Sequence, residues 1–258
     1  LWWVSVVLWA GCTYAVFSLL TVRQQKPGLA EGINGGWLLA VVATQSVATL
    51  GCAIDGRFLA DRDTSLFILL CFWAGGGMLY FWIISLIFYR YMFFGFSPRD
   101  LMPPYWINMG AVAISTLAGA MLADAARTSA LVGPLRPFVL GMTVMFWATA
   151  TWWIPMLLVL GVWRHIGHRV PVTYDPLYWG LVFPFGMYSA STYRLAGTIG
   201  APFLVWIAEA FVIAASSVWL LTALGFMGRV VFLVVLVARR LSGRQVRAVS
   251  TDPVVDAQ

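Results

Sequence analysis

The sequence predicts an all-α integral membrane protein, on the evidence of its composition, the length of its apolar runs and an internal repeat. Hydrophobic residues make up 61% of the chain and charged residues 10%, whereas soluble domains carry about 25% charged residues. Because the apolar runs are continuous, helices are predicted, since they satisfy their own backbone hydrogen bonds in lipid. A β-barrel would need short segments of alternating polarity.

About seven runs reach the length of about 20 residues that crosses the hydrocarbon layer. They cover residues 1–22, 37–54, 66–89, 106–123, 137–163, 177–195 and 201–228. Residues 1–228 are therefore predicted to form one transmembrane domain, followed by a basic tail at 229–258. Leu1 is not an initiator methionine and lies in an apolar run without the basic leader of a signal peptide, so we expect a fragment of a longer polypeptide.

Basic residues are distributed unevenly between the two ends of the spans. One end holds eleven, namely Arg23, Lys26, Arg90, Arg99, Arg164, Arg169, Arg229, Arg239, Arg240, Arg244 and Arg247. The other end holds five, namely Arg57, Arg62, Arg127, Arg136 and Arg194. Because cytoplasmic loops carry the excess, we predict a multi-pass protein of the cell inner (plasma) membrane, with Leu1 outside and Gln258 in the cytoplasm. The tail is expected to contact anionic lipid of the bilayer, not nucleic acid.

Two motifs recur and indicate a two-helix unit repeated about three times. Pro103, Tyr105 and Trp106 recur 73 residues later as Pro176, Tyr178 and Trp179. Similar positions in alternate spans hold Trp9-Ala10-Gly11, Trp73-Ala74-Gly75 and Trp147-Ala148-Thr149. Repeated hairpins commonly build transporters and channels around an axis, so a central pore is predicted. The alternative is that these aromatic residues only mark membrane interfaces.

Three spans are richer in small and polar residues than the others and are predicted to form an inner layer. They are residues 37–54, 106–123 and 177–195. The candidate pore-lining residues of the first two are Thr44, Gln45, Asn108 and Ser115. Small residues also let helices pack closely in lipid, so helix packing is the alternative role at these positions.

The span at 177–195 contains the most informative local sequence. Pro184 has no amide hydrogen, so the helix is expected to kink or break there, with Gly186 close by. Because successive helix residues are rotated by about 100°, five residues of this span share one face. We predict that this face provides a hydrophobic constriction in the pore and a cation at its outer mouth. This face comprises Phe183, Gly186, Met187, Ala190 and Arg194. The alternative is an ordinary packed phenylalanine and an arginine that extends to the interface.

Glu209 is the one acidic residue well inside a span, where a charge is costly and points to a function. It could couple transport to protons or pair with Arg194, and the pair is the expected arrangement. No cofactor or metal site is expected. Cys12, Cys52 and Cys71 lack paired spacing, and the two histidines lie in a basic loop.

Five motifs carry a resemblance to a known family. They are PPYWINMG at 103–110, FWAT at 146–149, WWIP at 152–155, DPLYWGLVFP at 175–184 and YRLA at 193–196. With them the chain resembles the tellurite-resistance and C4-dicarboxylate transporter family, whose relatives include plant guard-cell slow anion channels and fungal malate and sulfite carriers. The resemblance covers nearly all of residues 1–228.

The resemblance implies ten helices in five hairpins, with the odd-numbered helices around a central pore, and a homotrimer with one pore in each subunit. It also implies that Phe183 matches the phenylalanine that closes the family's pore. The predicted spans would then be the fourth to tenth helices of an incomplete ten-helix fold, which would lack three helices, two of them pore-lining.

These features together predict transport of small anions through a phenylalanine-gated pore. The anion would be chloride, nitrate, a C4-dicarboxylate, tellurite or sulfite. The alternatives are a proton-coupled secondary carrier that uses Glu209 and a seven-span membrane receptor or sensor. An enzyme is not expected, because the sequence shows no nucleophile with a neighbouring histidine and acid and no phosphate-binding glycine motif.

Overall fold

A computed structural model describes the backbone of residues 1–249 and the side chains of residues 1–238. Over these residues the chain forms α-helices joined by short turns, without a strand. The helices are α1 (Trp2–Val22), α2 (Leu29–Gly32), α3 (Leu39–Ala53), α4 (Arg62–Phe93), α5 (Ile107–Ala125), α6 (Arg136–Val162), α7 (Trp179–Ile199) and α8 (Val205–Val249). The pairs α1 and α3, α4 and α5, and α6 and α7 run antiparallel, as two hydrogen bonds within each pair show.

Six helical segments are long and apolar enough to cross a membrane, which confirms an all-α integral membrane protein. They are Trp2–Val22, Gly35–Ala53, Arg62–Phe93, Pro103–Thr128, Gly133–Gly167 and Pro202–Ala238. The predicted span at 177–195 corresponds to α7, which has 21 residues but is not among the six. Its serine, threonine and arginine side chains lower its hydropathy, and α7 packs against other helices on several sides.

The centre of the fold is α5, which packs against α3, α4, α6 and α7. In its most apolar stretch 83% of the residues are buried, against 0% for α1 and 6% for α8. The predicted inner layer is present as the row α3, α5, α7, with α1, α4, α6 and α8 packed against it. Gly119 permits α5 and α6 to approach each other closely, because an added Cβ at this position would lie 2.1 Å from Thr143 Oγ1 on α6.

The repeated tryptophans join each outer helix to its inner neighbour. Trp9 Nε1 donates a hydrogen bond to Thr44 Oγ1 at 2.8 Å, linking α1 to α3. Trp73 Nε1 donates to the carbonyl of Ser115 at 2.9 Å, linking α4 to α5, and Trp147 Nε1 donates to Thr192 Oγ1 at 3.0 Å, linking α6 to α7. One residue type makes the same link in three successive hairpins, which favours a structural repeat over interface marking.

The two ends of the helix bundle are named here after one arginine each. The Arg194 end holds the C-termini of α3, α5 and α7, and the Arg90 end is opposite. Arg90 is buried and donates to the carbonyl of Ala30 at 2.5 Å and to the Tyr105 hydroxyl. It also lies 3.8 Å from Asp100 and 5.1 Å from the centre of the Phe96 ring. Arg90 therefore organises the turns at its end of the bundle.

The predicted boundary at residue 228 falls within a continuous helix, because α8 extends from Val205 to Val249. A separate tail beginning at residue 229 stays a prediction. Residues 250–258, and the side chains of Arg239, Arg240, Arg244 and Arg247, lie outside the described residues.

Candidate functional site

One face of α7 is open, whereas the rest of this helix is packed. Gly186, Ala190 and Arg194 are exposed, and Phe183 and Met187 are half-buried. On an ideal helix Phe183, Ala190 and Arg194 point within about 40° of one another. The opposite face is buried by α5, α6 and α8 through residues that include Pro184, Tyr188, Ser191, Thr192 and Leu195. Of the five residues predicted to share a face, Gly186, Ala190 and Arg194 are exposed together, whereas Met187 packs partly against the core.

Pro184 does not break α7, and a kink of the helix at Pro184 and Gly186 stays a prediction. The helix is continuous from Trp179 to Ile199. Pro184 lies in its second turn, where losing one backbone hydrogen bond affects only the start of the helix. The Pro184 ring packs against Gly110 of α5, where an added Cβ would lie 2.8 Å from Pro184 Cγ. Pro184 thus fixes the contact between α7 and α5.

The two phenylalanines beside Pro184 have different surroundings. The Phe185 ring packs against Trp106 and Phe211, with ring centres 4.9 and 5.9 Å away. Phe183 lies on the open face and is half-buried. Of the two rings, Phe183 is therefore the one on the same helix face as Ala190 and Arg194.

Arg194 forms an ion pair with Asp124, not with Glu209 as expected. Arg194 Nη2 lies 3.0 Å from Asp124 Oδ2, at the C-terminal end of α5. Thr198 Oγ1 donates to the same carboxylate at 2.9 Å, and Arg127 Nη2 lies 3.4 Å from Asp124 Oδ1. Two arginines thus share one aspartate, and the Arg194 side chain stays 46% exposed. The sequence held a signal for this pair, since Asp124 directly follows the predicted span 106–123.

Glu209 lies on α8 and is exposed. It lines a groove of about 470 Å³ between α7 and α8, together with Gly186, Ser189 and Tyr193. Ser189 closes one side of the groove, because its hydroxyl donates to the carbonyl of Ala208 at 2.7 Å. The groove adjoins the open face of α7, so Glu209 is near that face without pairing with Arg194.

The four candidate pore-lining residues of α3 and α5 are buried in helix contacts. Thr44 accepts the bond from Trp9, and Gln45 Nε2 donates to the carbonyl of Trp73 at 3.0 Å. Asn108 Nδ2 donates to the Tyr91 hydroxyl at 3.2 Å, and the Ser115 hydroxyl donates to its own helix at 2.7 Å. The structure does not bring these residues onto the open face of α7. Their burial favours the packing alternative.

Most arginines of the Arg194 end lie close to an aspartate. Four of its five arginines lie within 4.0 Å of an aspartate, namely Arg57 and Arg62 near Asp55 and Arg127 and Arg194 near Asp124. The hydrogen bond from Arg62 holds the pKa of the Asp55 carboxyl below its usual range. At the Arg90 end, hydrogen bonds from Ser97 lower the pKa of Asp100. Both carboxylates therefore stay charged at neutral pH.

Among residues 1–238, no three histidine, cysteine or acidic side chains come together in a way that could hold a metal ion. Cys12, Cys52 and Cys71 are free thiols. The open face of α7 therefore offers backbone, hydroxyl and apolar groups, with the guanidinium of Arg194 at one end.

Comparison with known proteins gives several relatives. An uncharacterized membrane protein of Mycobacterium tuberculosis is 39% identical over 144 residues, which are 56% of this chain and 73% of the relative. An uncharacterized transporter of Methanocaldococcus jannaschii is 22% identical over 201 residues, 78% of this chain and 57% of the relative. A sulfite efflux pump of Trichophyton rubrum is 22% identical over 231 residues, 86% of this chain and 60% of the relative. No solved structure matches.

The family comparison covers almost the whole transmembrane region. The sequence pattern of the voltage-dependent anion channels, the SLAC1 family, matches residues 1–227. This match extends from α1 into α8 and includes every residue of the open face of α7. Members of this family are channels and transporters, so the protein is not expected to be an enzyme. On this evidence the chain belongs to the SLAC1 family of voltage-dependent anion channels.

Proposed function

We propose that this protein carries small anions across the membrane along the open face of α7. The observation that supports this most is the division of α7 into two faces. One is packed against three helices, and the other presents Phe183, Ala190 and Arg194. Family membership and the relative described as a sulfite efflux pump support an anion as the transported species.

Phe183 would act as the constriction. A half-buried ring beside the small residues Gly186 and Ala190 would narrow the space along the helix and repel water. A dewetted segment of this kind blocks ions without a charged barrier. Met187 and Ala190 continue the same face toward Arg194, and neither side chain offers a charge to hold an anion in place.

Arg194 would raise the local anion concentration at the mouth. The cluster contains two arginines and one aspartate, so it keeps a net positive charge despite the ion pair. The open face of α7 has no other cation between Trp179 and Arg194. Arg194 would attract anions to the mouth of the pathway, and no cation deeper in the pathway would bind them tightly. This arrangement favours anion passage over tight anion binding. Chloride, nitrate, a C4-dicarboxylate, tellurite and sulfite all fit this charge requirement.

A proton-coupled carrier is the second candidate function, and the position of Glu209 favours it. Its carboxylate opens into the groove that Gly186 also lines. A carboxylate beside an anion pathway repels anions when it is charged and not when it is protonated, which would link anion passage to proton uptake. Under this mechanism Glu209→Gln would abolish proton movement while anion exchange continued.

Reversal potentials of the full chain in planar bilayers test the proposal. Under a potassium chloride gradient, the current should reverse near the chloride equilibrium potential. Reversal near the potassium potential would contradict anion transport. Replacing chloride by nitrate, sulfite or malate in turn would identify the substrate. Anion-dependent proton uptake by wild-type vesicles that is lost in Glu209→Gln vesicles would indicate a coupled carrier, whereas a channel would show no such uptake in either.

Membrane orientation and assembly belong to the same proposal. We place the Arg90 end and Gln258 in the cytoplasm of a cell with the protein in its plasma membrane, because that end carries the basic excess. Reporter fusions after Arg247 should be active only when the reporter works inside the cell. A homotrimer with one pathway per subunit should appear as a threefold mass in mild detergent, and a monomer there would contradict it.

A further inference from the structure

A second groove lies away from α7, among α1, α2 and α4. It has a volume of about 360 Å³. Its walls within the membrane are apolar and include Phe17 and Leu20 of α1 and Leu86 of α4. Among the described residues α1 and α4 lie on the outside of the fold, so the groove opens away from the inner helices.

The same groove ends in two cations. Arg23 and Lys26 line it where α1 ends, and both are exposed. Neither takes part in the ion pairs found among residues 1–238. Glu31 on α2 is exposed and is not among the residues that line the groove. The groove therefore combines an apolar channel at membrane depth with a positive charge of two at its Arg90 end.

The floor of the groove is held in place. Trp37 Nε1 donates to the carbonyl of Gly32 at 2.8 Å, and Arg90 Nε donates to the carbonyl of Ala30. Gly32 also contacts the Pro27 ring, since an added Cβ would lie 3.0 Å from Pro27 Cγ. These contacts fix α2 against the ends of α3 and α4, so the shape of the groove does not depend on an occupant.

We infer that this groove binds one anionic phospholipid. An acyl chain would lie along Phe17, Leu20 and Leu86, and the phosphate would meet Arg23 and Lys26. The two features occur together as they do in a phospholipid, whose charged head is joined to an apolar chain. An inorganic anion would leave the apolar walls uncovered, and a neutral lipid would leave the two cations without a partner. Anionic lipids are enriched in the leaflet that faces basic loops.

Native mass spectrometry of the full chain with phosphatidylglycerol and phosphatidylcholine tests the inference. The wild-type chain should retain phosphatidylglycerol about thirtyfold more than phosphatidylcholine, the size of effect expected from roughly 1 kcal/mol for each of two basic groups near the head. Arg23→Gln with Lys26→Gln should remove this preference. Arg99→Gln with Arg229→Gln makes the same charge change at exposed positions outside the groove and should leave the preference unchanged.

A second variant tests the apolar half. Leu86 is 44% exposed, so Leu86→Trp should fill the groove without disturbing the core, and it should reduce retention of both lipids. Equal retention of the two lipids by the wild type would overturn the inference, as would full retention by the Arg23 and Lys26 variant. Displacement of the lipid by excess inorganic phosphate would also overturn it, because it would indicate a simple anion site.

Discussion

The helices α5 and α7 have similar compositions and different surroundings. Both are rich in alanine, glycine and hydroxyl residues. Helix α5 follows the segment Pro-Pro-Tyr-Trp, and α7 begins at the tryptophan of a Pro-Leu-Tyr-Trp segment. All residues of α5 from Ile107 to Thr116 are buried, and its polar side chains bond within the helix or to α4. In α7, the face of Ala190 and Arg194 is open. Small and polar residues therefore serve packing in one helix and leave an open face in the other.

The largest expected contrast is in stability. Gly119→Ala in α5 places a Cβ 2.1 Å from Thr143 Oγ1, and Gly186→Ala in α7 meets no atom within 4 Å. Overpacking should lower the free energy of unfolding of the first variant by about 1–3 kcal/mol. The second should be neutral or slightly stabilising, because alanine favours a helix over glycine. Thermal unfolding in detergent measures both, and equal stabilities would remove the contrast between the two helices.

The next contrast concerns charge at the mouth. Arg194→Ala should lower anion current at low salt by removing the attractive charge, and Asp124→Asn should raise it by leaving Arg194 and Arg127 unbalanced. Both effects should shrink as ionic strength rises, since charges are screened over about 8 Å at physiological salt. Asp55→Asn is the matched control at the same end. Salt-independent changes would mean that the cluster acts through structure.

The smallest effect is expected from a polar residue of α5. Ser115→Ala removes a hydroxyl that bonds to Ala111 of its own helix. The free energy of unfolding should change by less than about 1 kcal/mol, with anion selectivity unchanged. A shift in permeability ratios measured from reversal potentials would place Ser115 in the pathway after all.

The sequence predicted the helix positions and the inner layer because both follow from where apolar and small residues fall along the chain. It also placed Phe183, Ala190 and Arg194 on one face, since helical geometry alone decides that. It did not show whether Thr44, Gln45, Asn108 and Ser115 line a pore or pack between helices, because a hydroxyl or amide group is suited to both positions. Only the neighbouring helices distinguish the two.

The partner of Arg194 shows a second limit. Glu209 was expected because it is the acidic residue inside a span, but Asp124 lies at the adjacent helix end and forms the pair. Both carboxylates lie toward the same membrane end as Arg194. Their positions in the sequence therefore could not show which of them forms the ion pair. The contact between α5 and α7, set by Gly110 and Pro184, brings Asp124 to Arg194.

The central claim is that anions pass along the open face of α7, and paired phenylalanine variants test it most directly. Phe183→Ala should raise the anion current per molecule, because it removes the constricting ring. Phe185→Ala, two residues away, should lower stability through lost contacts with Trp106 and Phe211 and should not open the pathway. Currents in planar bilayers, normalised to incorporated protein, decide the question. An unchanged or smaller current in Phe183→Ala, or an equal increase in both variants, would contradict the account.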